Sequence, residues 1–291
     1  MALKVAHISD IHFFHLNKSP LQFFCKRFLA NFHALFARKA TFNPNLAYKV
    51  LPLLKKEGVT HIIISGDFTS SSSKKEFELM QTYIKAVKAS GFEVFTLPGN
   101  HDAYTKQAHR NQSFFSYLES LVNFSGETGH NLMNDFTAAY KLTESWWAVL
   151  INCSCPTPWH KSTGVFSKEV ENSLLATLES LPKNGKITVI CHYPFEKFRY
   201  PKAHLERGEK LESILKNDKR IRLYLHGHRH LQRVEQIGDL TVADSGSISF
   251  KKRSTFNILN FDGDGCEITQ YKYQNDTWSP VGEREKIESL V

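Results

Sequence analysis

The chain is predicted to be an α/β protein of layered sheets and helices. Three observations carry this. Short apolar runs rich in β-branched residues recur between residues 4 and 226, stretches with helical periodicity lie between them, and nearly every run breaks into a polar turn, as in "HIIISGDFTSSSS" and "EVFTLPGNHD". Runs of this kind suit strands covered on both faces, and their alternation with helices suits a layered fold.

In chain order, strands are expected at residues 4–9, 60–64, 93–97, 147–153, 186–191 and 222–226. Helices are expected at 45–57, 74–90, 111–122, 167–181 and 205–216. The four serines Ser70 to Ser73 read as the lead-in to a helix cap. From 231 to 273 the pattern changes to strand, turn, strand, with Gly238-Asp239 and Asp262-Gly263-Asp264-Gly265 as hairpin turns. These C-terminal hairpins are expected to form a second sheet packed on the first. No repeat and no long linker interrupts the chain, so 1–291 reads as one domain.

Residues 17–42 stand apart as an amphipathic helical insertion. Leu21, Phe24, Cys25, Phe28, Leu29, Phe32, Leu35 and Phe36 form one stripe, with Lys26, Arg27, His33 and Arg38 off it. Two readings stay open: a helix packed on the core, or a lid whose Phe24, Phe28, Phe32 and Leu35 meet a membrane surface or an apolar substrate tail.

The 291 residues and 41% apolar content are ample for a packed core. A net charge of +8 favours anionic partners. Five cysteines, an odd number in a long chain, argue against a disulfide framework. The opening "LKVAHIS" reads directly as a strand with no export segment, and no run of about twenty apolar residues occurs. A cytoplasmic protein is expected, with peripheral contact at the inner membrane face as a further expectation.

Five short motifs end or follow predicted strands: Asp10-Ile11-His12, Gly66-Asp67, Gly99-Asn100-His101-Asp102, His192, and Gly227-His228-Arg229-His230. Ligands of open α/β sheets bind beyond the carboxyl ends of the strands, so the motifs should gather there. Their mixture of carboxylate, amide and imidazole suits Mn, Fe or Zn. Gly66 and Gly99 are expected to turn the backbone sharply enough to aim Asp67 and Asn100. His7 and His226 read as strand residues, and Arg229 as facing away. His15, His61, His109, His130, His160 and His204 lack a partner at ligand spacing.

In this order the motifs resemble the calcineurin-like metallophosphoesterase superfamily, over roughly residues 5 to 250. The opening and "WWAVLINCS…TGVFSKEVENSLLATLESL" are similar to class III cyclic-nucleotide phosphodiesterases. The phenylalanine-rich insertion resembles that of the UDP-2,3-diacylglucosamine pyrophosphatases of lipid A synthesis. The family's usual His-His-Pro is His192-Tyr193-Pro194 here, so an aromatic ring stands beside the ligand.

The resemblance implies a four-layer α/β/β/α sandwich of two mixed sheets flanked by helices. It implies two divalent metal ions, Mn foremost, with Fe, Zn or Mg as alternatives. One ion would be held by Asp10, His12, Asp67 and His230, the other by Asp67, Asn100, His192 and His228, with Asp67 bridging. His101, oriented by Asp102, would stand beside the leaving group. A carboxylate between the ions makes physical sense because two dications repel strongly at short distance.

The expected function is hydrolysis of a phosphodiester or pyrophosphate bond by activated water. The substrate would be a phosphorylated small molecule such as a cyclic nucleotide, or a lipid nucleotide such as UDP-2,3-diacylglucosamine. Nucleic acid is disfavoured because no stacking platform is legible. From another class, a non-catalytic metal-binding scaffold would show missing ligands, and none is missing.

Overall fold

The structure is a computed structural model that describes residues 2–15, 41–158, 160–196 and 203–287. The amphipathic stripe, with the lid residues Phe24, Phe28, Phe32 and Leu35, lies outside the described residues.

One sheet begins with three parallel strands, β1 (Leu3–Ile8), β2 (His61–Ile64) and β3 (Glu93–Thr96). The other is built on β5 (Trp146–Ile151), β7 (Lys186–Cys191), β9 (Ile221–His226) and β11 (Leu240–Ser245), again in parallel. These ranges match the predicted runs to within about two residues, because dense Ile and Val leave little alternative. The strand β4 (Thr137–Lys141), antiparallel to β5 at the sheet edge, escaped the sequence reading. Its central Ala138-Ala139 pair has a weak strand preference.

The C-terminal expectation is corrected. Residues 231–273 do not make one second sheet but divide between two. The hairpin of β10 (Gln232–Ile237) and β11 extends the β9 sheet. The strands β12 (Thr255–Asp262), β13 (Gly265–Gln274) and β14 (Thr277–Ile287) run antiparallel from β1. The resulting orders are β14-β13-β12-β1-β2-β3 and β10-β11-β9-β7-β5-β4. Both hairpin turns were legible, but a hairpin carries no information about which edge it joins.

Period-two alternation places the sheets. Ala148 and Leu150 join the core between the sheets, while Val149 and Ile151 turn to the opposite face. There they meet the cluster that includes Val170, Leu174 and Leu178 of the helix Lys168–Ser180 and Leu211 and Leu215 of the helix Gly208–Asn217. In chain order the helices are α1 (Asn45–Lys49), α2 (Leu51–Lys56), α3 (Lys74–Ala89), α4 (Lys106–Arg110), α5 (Ser113–Leu118), α6 (Lys168–Ser180) and α7 (Gly208–Asn217). On the first sheet α3 buries Phe77, Met80, Tyr83, Ile84 and Val87. Two mixed sheets flanked by helices are the layered sandwich that was expected.

Two helix expectations change. The stretch 45–57 breaks at Val50 into α1 and α2, because Pro52 has no N–H to continue the ladder. Leu205–Glu206 (β8) pairs with Gly164–Val165 (β6), and α7 begins only after Arg207, whose φ is 60°.

Candidate metal centre

Strands β1, β2, β3, β7 and β9 end on the same side, and each predicted motif follows one of them. Three groups of side chains offer ligand atoms within 4.8 Å of one another: Asp10, His12 and His230; His12, Asp67 and His101; Asp67, His192 and His228. Asn100 joins the last through its Oδ1, 3.2 Å from His192 Nε2. Every residue predicted as a ligand is thus brought to one place.

The nitrogens are set by their second contacts. His192 Nδ1 lies 2.7 Å from the Ser65 carbonyl and His12 Nδ1 lies 3.3 Å from the Thr69 carbonyl. A carbonyl only accepts, so both Nδ1 atoms carry hydrogen and the Nε2 atoms face inward, as lone pairs once each ring is neutral. His12 Nε2 then faces His230 Nε2 at 3.0 Å, and His192 Nε2 faces His228 Nδ1 at 3.2 Å. Facing imidazole nitrogens beside buried carboxylates call for a positive charge between them. The donor set therefore fits divalent cations.

Charge tells the same story. Burial alone would raise the Asp10 carboxyl, but His230, His12 and His192 outweigh it and hold it well below the usual range. Burial likewise opposes the Asp67 charge, and His192, His101 and His12 overcome it. Burial would push the His192 imidazole down, yet Asp67 and Asp10 lift it to about 10. His228 goes the other way, pushed down to about 3 by burial and by His192.

The backbone is unusual where the ligands sit. Asp10, His12, Asp67, His228 and His230, five of the seven predicted ligands, have φ between 54° and 73°. Non-glycine residues rarely occupy this region, and such strain collects at functional sites. It is held by contacts. Ser247 and Ser249 hydroxyls donate to the Asp10 carbonyl at 2.7 and 3.1 Å, His228 N–H donates to Asp10 Oδ2 at 3.0 Å, and His101 N–H donates to Asp67 Oδ1 at 2.8 Å.

The two glycines differ from expectation. Gly66 does need its angle, at φ 98°. Gly99 has no positive φ; it needs space, since a Cβ there would strike the Asp67 carboxylate and come within 2.6 Å of the Asp67 nitrogen.

The role of Asp102 is corrected. Its carboxylate accepts from the N–H groups of Phe68, Thr69 and Gly99 at 2.9 to 3.2 Å. It ties the Asp67 loop to the Asn100 loop. The His101 ring is instead placed by Ser70, whose carbonyl lies 2.8 Å from Nδ1, and by Tyr104, which stacks on it at 5.7 Å. Burial, with Asp67 nearby, pushes the Asp102 carboxyl up to about 7 against those three donors.

The serine run does more than lead into a cap. Ser73 caps α3, as expected, and does so in a capping box with Glu76. Ser72 also donates to the carbonyls of His101 and Asp102 at 2.7 and 2.9 Å. His7 is buried with Nε2 2.9 Å from Ser65 Oγ, His226 is buried at the end of β9, and Arg229 turns to Glu196 at 3.3 Å. Phe42, which no motif marked, has its ring 4.9 Å from His12.

A cavity of about 280 Å³ opens onto Asp67, Asn100, His101, His228 and His230. A larger cleft of about 660 Å³ lies by β3 and β4, away from these side chains, and contains none of the three ligand groups found among the described residues.

A sequence profile of the calcineurin-like phosphoesterase family matches residues 3–232. The chain belongs to this family. As a calcineurin-like phosphoesterase it is a hydrolase of phosphoric esters. It is 24% identical over 257 residues to a probable cyclic nucleotide phosphodiesterase of Pseudoalteromonas sp. (strain SM9913), covering 87% of this chain and 81% of that protein. A dimetal phosphatase from Danio rerio shares its fold with a TM-score of 0.66 at 13% identity, over 98% of each chain. A purple acid phosphatase from yellow lupin follows at 0.65 and 11% identity, over 98% of this chain and 53% of the other. GAP50, described as the anchor in the inner membrane complex of Plasmodium, has a TM-score of 0.55 at 14% identity, over 98% of this chain and 88% of that one. One fold thus serves phosphatases and an anchor, so the side chains must argue the function. Among the described residues no helix is long and apolar enough to cross a membrane.

Proposed function

We propose that this phosphoesterase cleaves phosphodiesters with two divalent cations, manganese foremost. Asp10, His12 and His230 would hold one, Asn100, His192 and His228 the other, and Asp67 both. The observation that carries this reading is the place of Asp67. Its Oδ2 lies 3.4 Å from His192 Nε2 and 4.0 Å from His12 Nε2, so one carboxylate reaches both clusters. Cations there supply the charge that polarises a phosphoryl group and brings a water's pKa towards neutrality.

The chain's own groups do the rest. With Nδ1–H of His101 donated to the Ser70 carbonyl, its Nε2 is the nitrogen that serves the leaving oxygen, and His101 in its imidazolium form gives that oxygen a proton as the P–O bond breaks. Asp102, by tying the two loops, keeps His101 and Asp67 in register. Tyr193, its ring 5.1 Å from His228, fills the space behind that ligand.

Among phosphodiesters the Pseudoalteromonas relative favours a nucleotide. The lipid-nucleotide reading rests on the stripe at residues 21–39 and on the basic charge. A non-catalytic scaffold is disfavoured because no ligand position is lost. The test is hydrolysis by the Mn²⁺-loaded chain of bis-p-nitrophenyl phosphate, cyclic AMP and UDP-2,3-diacylglucosamine. Metal-dependent cleavage of the first is expected. No diester cleavage with Mn²⁺, Fe²⁺, Zn²⁺ or Mg²⁺ would overturn the reading.

A further inference from the structure

We propose that the rim of this site beside His12 and His230 binds a single-stranded polynucleotide, so that an oligonucleotide is a substrate of the site. The inference rests on the phosphodiesterase reading and names its substrate class.

Two stretches of chain meet at this rim. Asn43 N–H donates to the Ser249 carbonyl at 2.7 Å and Lys251 N–H to the Thr41 carbonyl at 2.9 Å. Between them Phe42 and Phe250 form an antiparallel bridge with rings edge to face at 5.4 Å. Phe42 lies 5.4 Å and Phe250 6.3 Å from the His230 ring. Both phenylalanines are half-buried, so each keeps some surface in solvent. Lys251, Lys252 and Arg253 follow directly and are exposed, with the Arg253 guanidinium 4.8 Å from the centre of the Phe250 ring. No Asp or Glu occurs from residue 245 to residue 261.

Aromatic surface beside unbroken positive charge is what a single strand needs, bases on rings and phosphates on cations. The stacking platform that was not legible in the sequence is assembled here from residues far apart in the chain. Other anionic partners fit less well. A cyclic nucleotide carries a single phosphate charge, fewer than the exposed cations Lys252 and Arg253 can take. An anionic membrane needs an apolar anchor directed outwards. Among the described residues one exposed large hydrophobic, Leu231, lines the cavity of this site, and Phe42 is packed onto ligand imidazoles, so little apolar surface is directed outwards. A strand crossing the rim lays one linkage at His101 and its neighbouring phosphates along Lys252 and Arg253. Hydrolysis there forms a bond from water oxygen to phosphorus and breaks the bond to one nucleoside oxygen, which leaves with the proton.

The test uses the full Mn²⁺-loaded chain and a fluorescent phosphorothioate oligothymidylate followed by anisotropy. Lys252→Ala with Arg253→Ala should weaken binding about tenfold or more. It should also flatten the log Kd against log salt slope by about 1.4, or about 0.7 for each lost phosphate contact. Phe250→Ala should weaken binding by roughly tenfold with the slope kept, because stacking is not ionic. In turnover, the ratio of kcat/KM on oligothymidylate to that on bis-p-nitrophenyl phosphate should fall in both variants. Unchanged binding and slope in the double variant would overturn the proposal. So would salt-sensitive binding of phosphatidylglycerol vesicles without oligothymidylate binding, which would make the rim a membrane face. If the wild-type chain binds the strand but cleaves no diester, the phosphodiesterase reading fails and the binding surface stands.

Discussion

His192 and His12 are both fixed at Nδ1 by a backbone carbonyl, but the distance is 2.7 Å from Ser65 in the first and 3.3 Å from Thr69 in the second. His192 is fully buried, whereas His230, in the cluster of His12, is 24% exposed at the rim. All three of Asp10, His12 and His230 stand in the left-handed region, while of Asn100, His192 and His228 on the other side only His228 does, and the shared Asp67 does too. The His192 side is set before a cation arrives. The Asp10 side holds the more strained backbone, so it gains more order when a cation binds. One site thus combines a firm half and an adaptable half, joined through Asp67.

The largest effect should come from the shared residue. Asp67→Ala removes a ligand from both halves, and hydrolysis of bis-p-nitrophenyl phosphate should fall by more than about 10⁴-fold, with the fold kept by circular dichroism. Near-normal turnover would dissolve the comparison, since neither half would then need the carboxylate. His101→Asn should lower kcat by roughly 10²–10⁴-fold with metal content unchanged by elemental analysis. Loss of metal in that variant would make His101 a ligand of the adaptable half.

Stepwise dialysis against a chelator sharpens the contrast between the halves. The ion of Asp10, His12 and His230 should leave first, with an affinity lower by about 10–100-fold, the range for a differently supported ligand shell. His230→Ala should therefore cost one ion and spare the other. Loss of both ions together would show that the halves do not differ.

Acid dependence follows from His192. In the metal-free protein its folded pKa of about 10 lies above the ordinary 6.5, so its proton stabilises the fold fully below about 6.5 and ceases to do so as pH rises through about 10. A cation takes the place of that proton. Metal affinity should then climb with pH up to about 10, about tenfold per pH unit for one displaced proton, with proton release visible by calorimetry in buffers of different ionisation enthalpy. A flat profile would mean that His192 is already neutral. The smallest effect is expected away from both halves: Ser73→Ala opens the capping box at α3 and should cost about 1 kcal/mol, a melting shift of about 2–4 °C.

Much of the scaffold was legible because strand signals and ligand chemistry coincided. Runs such as "HIIIS" and "KITVIC" left one reading, and Gly66-Asp67 and His192 marked where those strands end. What stayed hidden depended on contacts across the chain. The Phe42–Phe250 pair joins residues from opposite ends of the sequence, and neither belongs to a motif. Ser247 and Ser249 lie on the passage from β11 to β12, whose change of sheet no local pattern encodes. Asp102 was read as the partner of its neighbour His101, yet its oxygens go to backbone donors of a loop some thirty residues earlier. Gly99 was read as an angle and proved to be a gap for Asp67.

The central claim is that Asp67 joins two cations in one centre. The direct measurement is electron paramagnetic resonance of the apoprotein titrated with Mn²⁺, alongside metal analysis. The account predicts uptake of two equivalents and, at the second, an exchange-coupled multiline signal from ions about 3.5–4 Å apart, which Asp67→Ala abolishes. Saturation at one equivalent, or two equivalents with only isolated six-line Mn²⁺ signals, would contradict it.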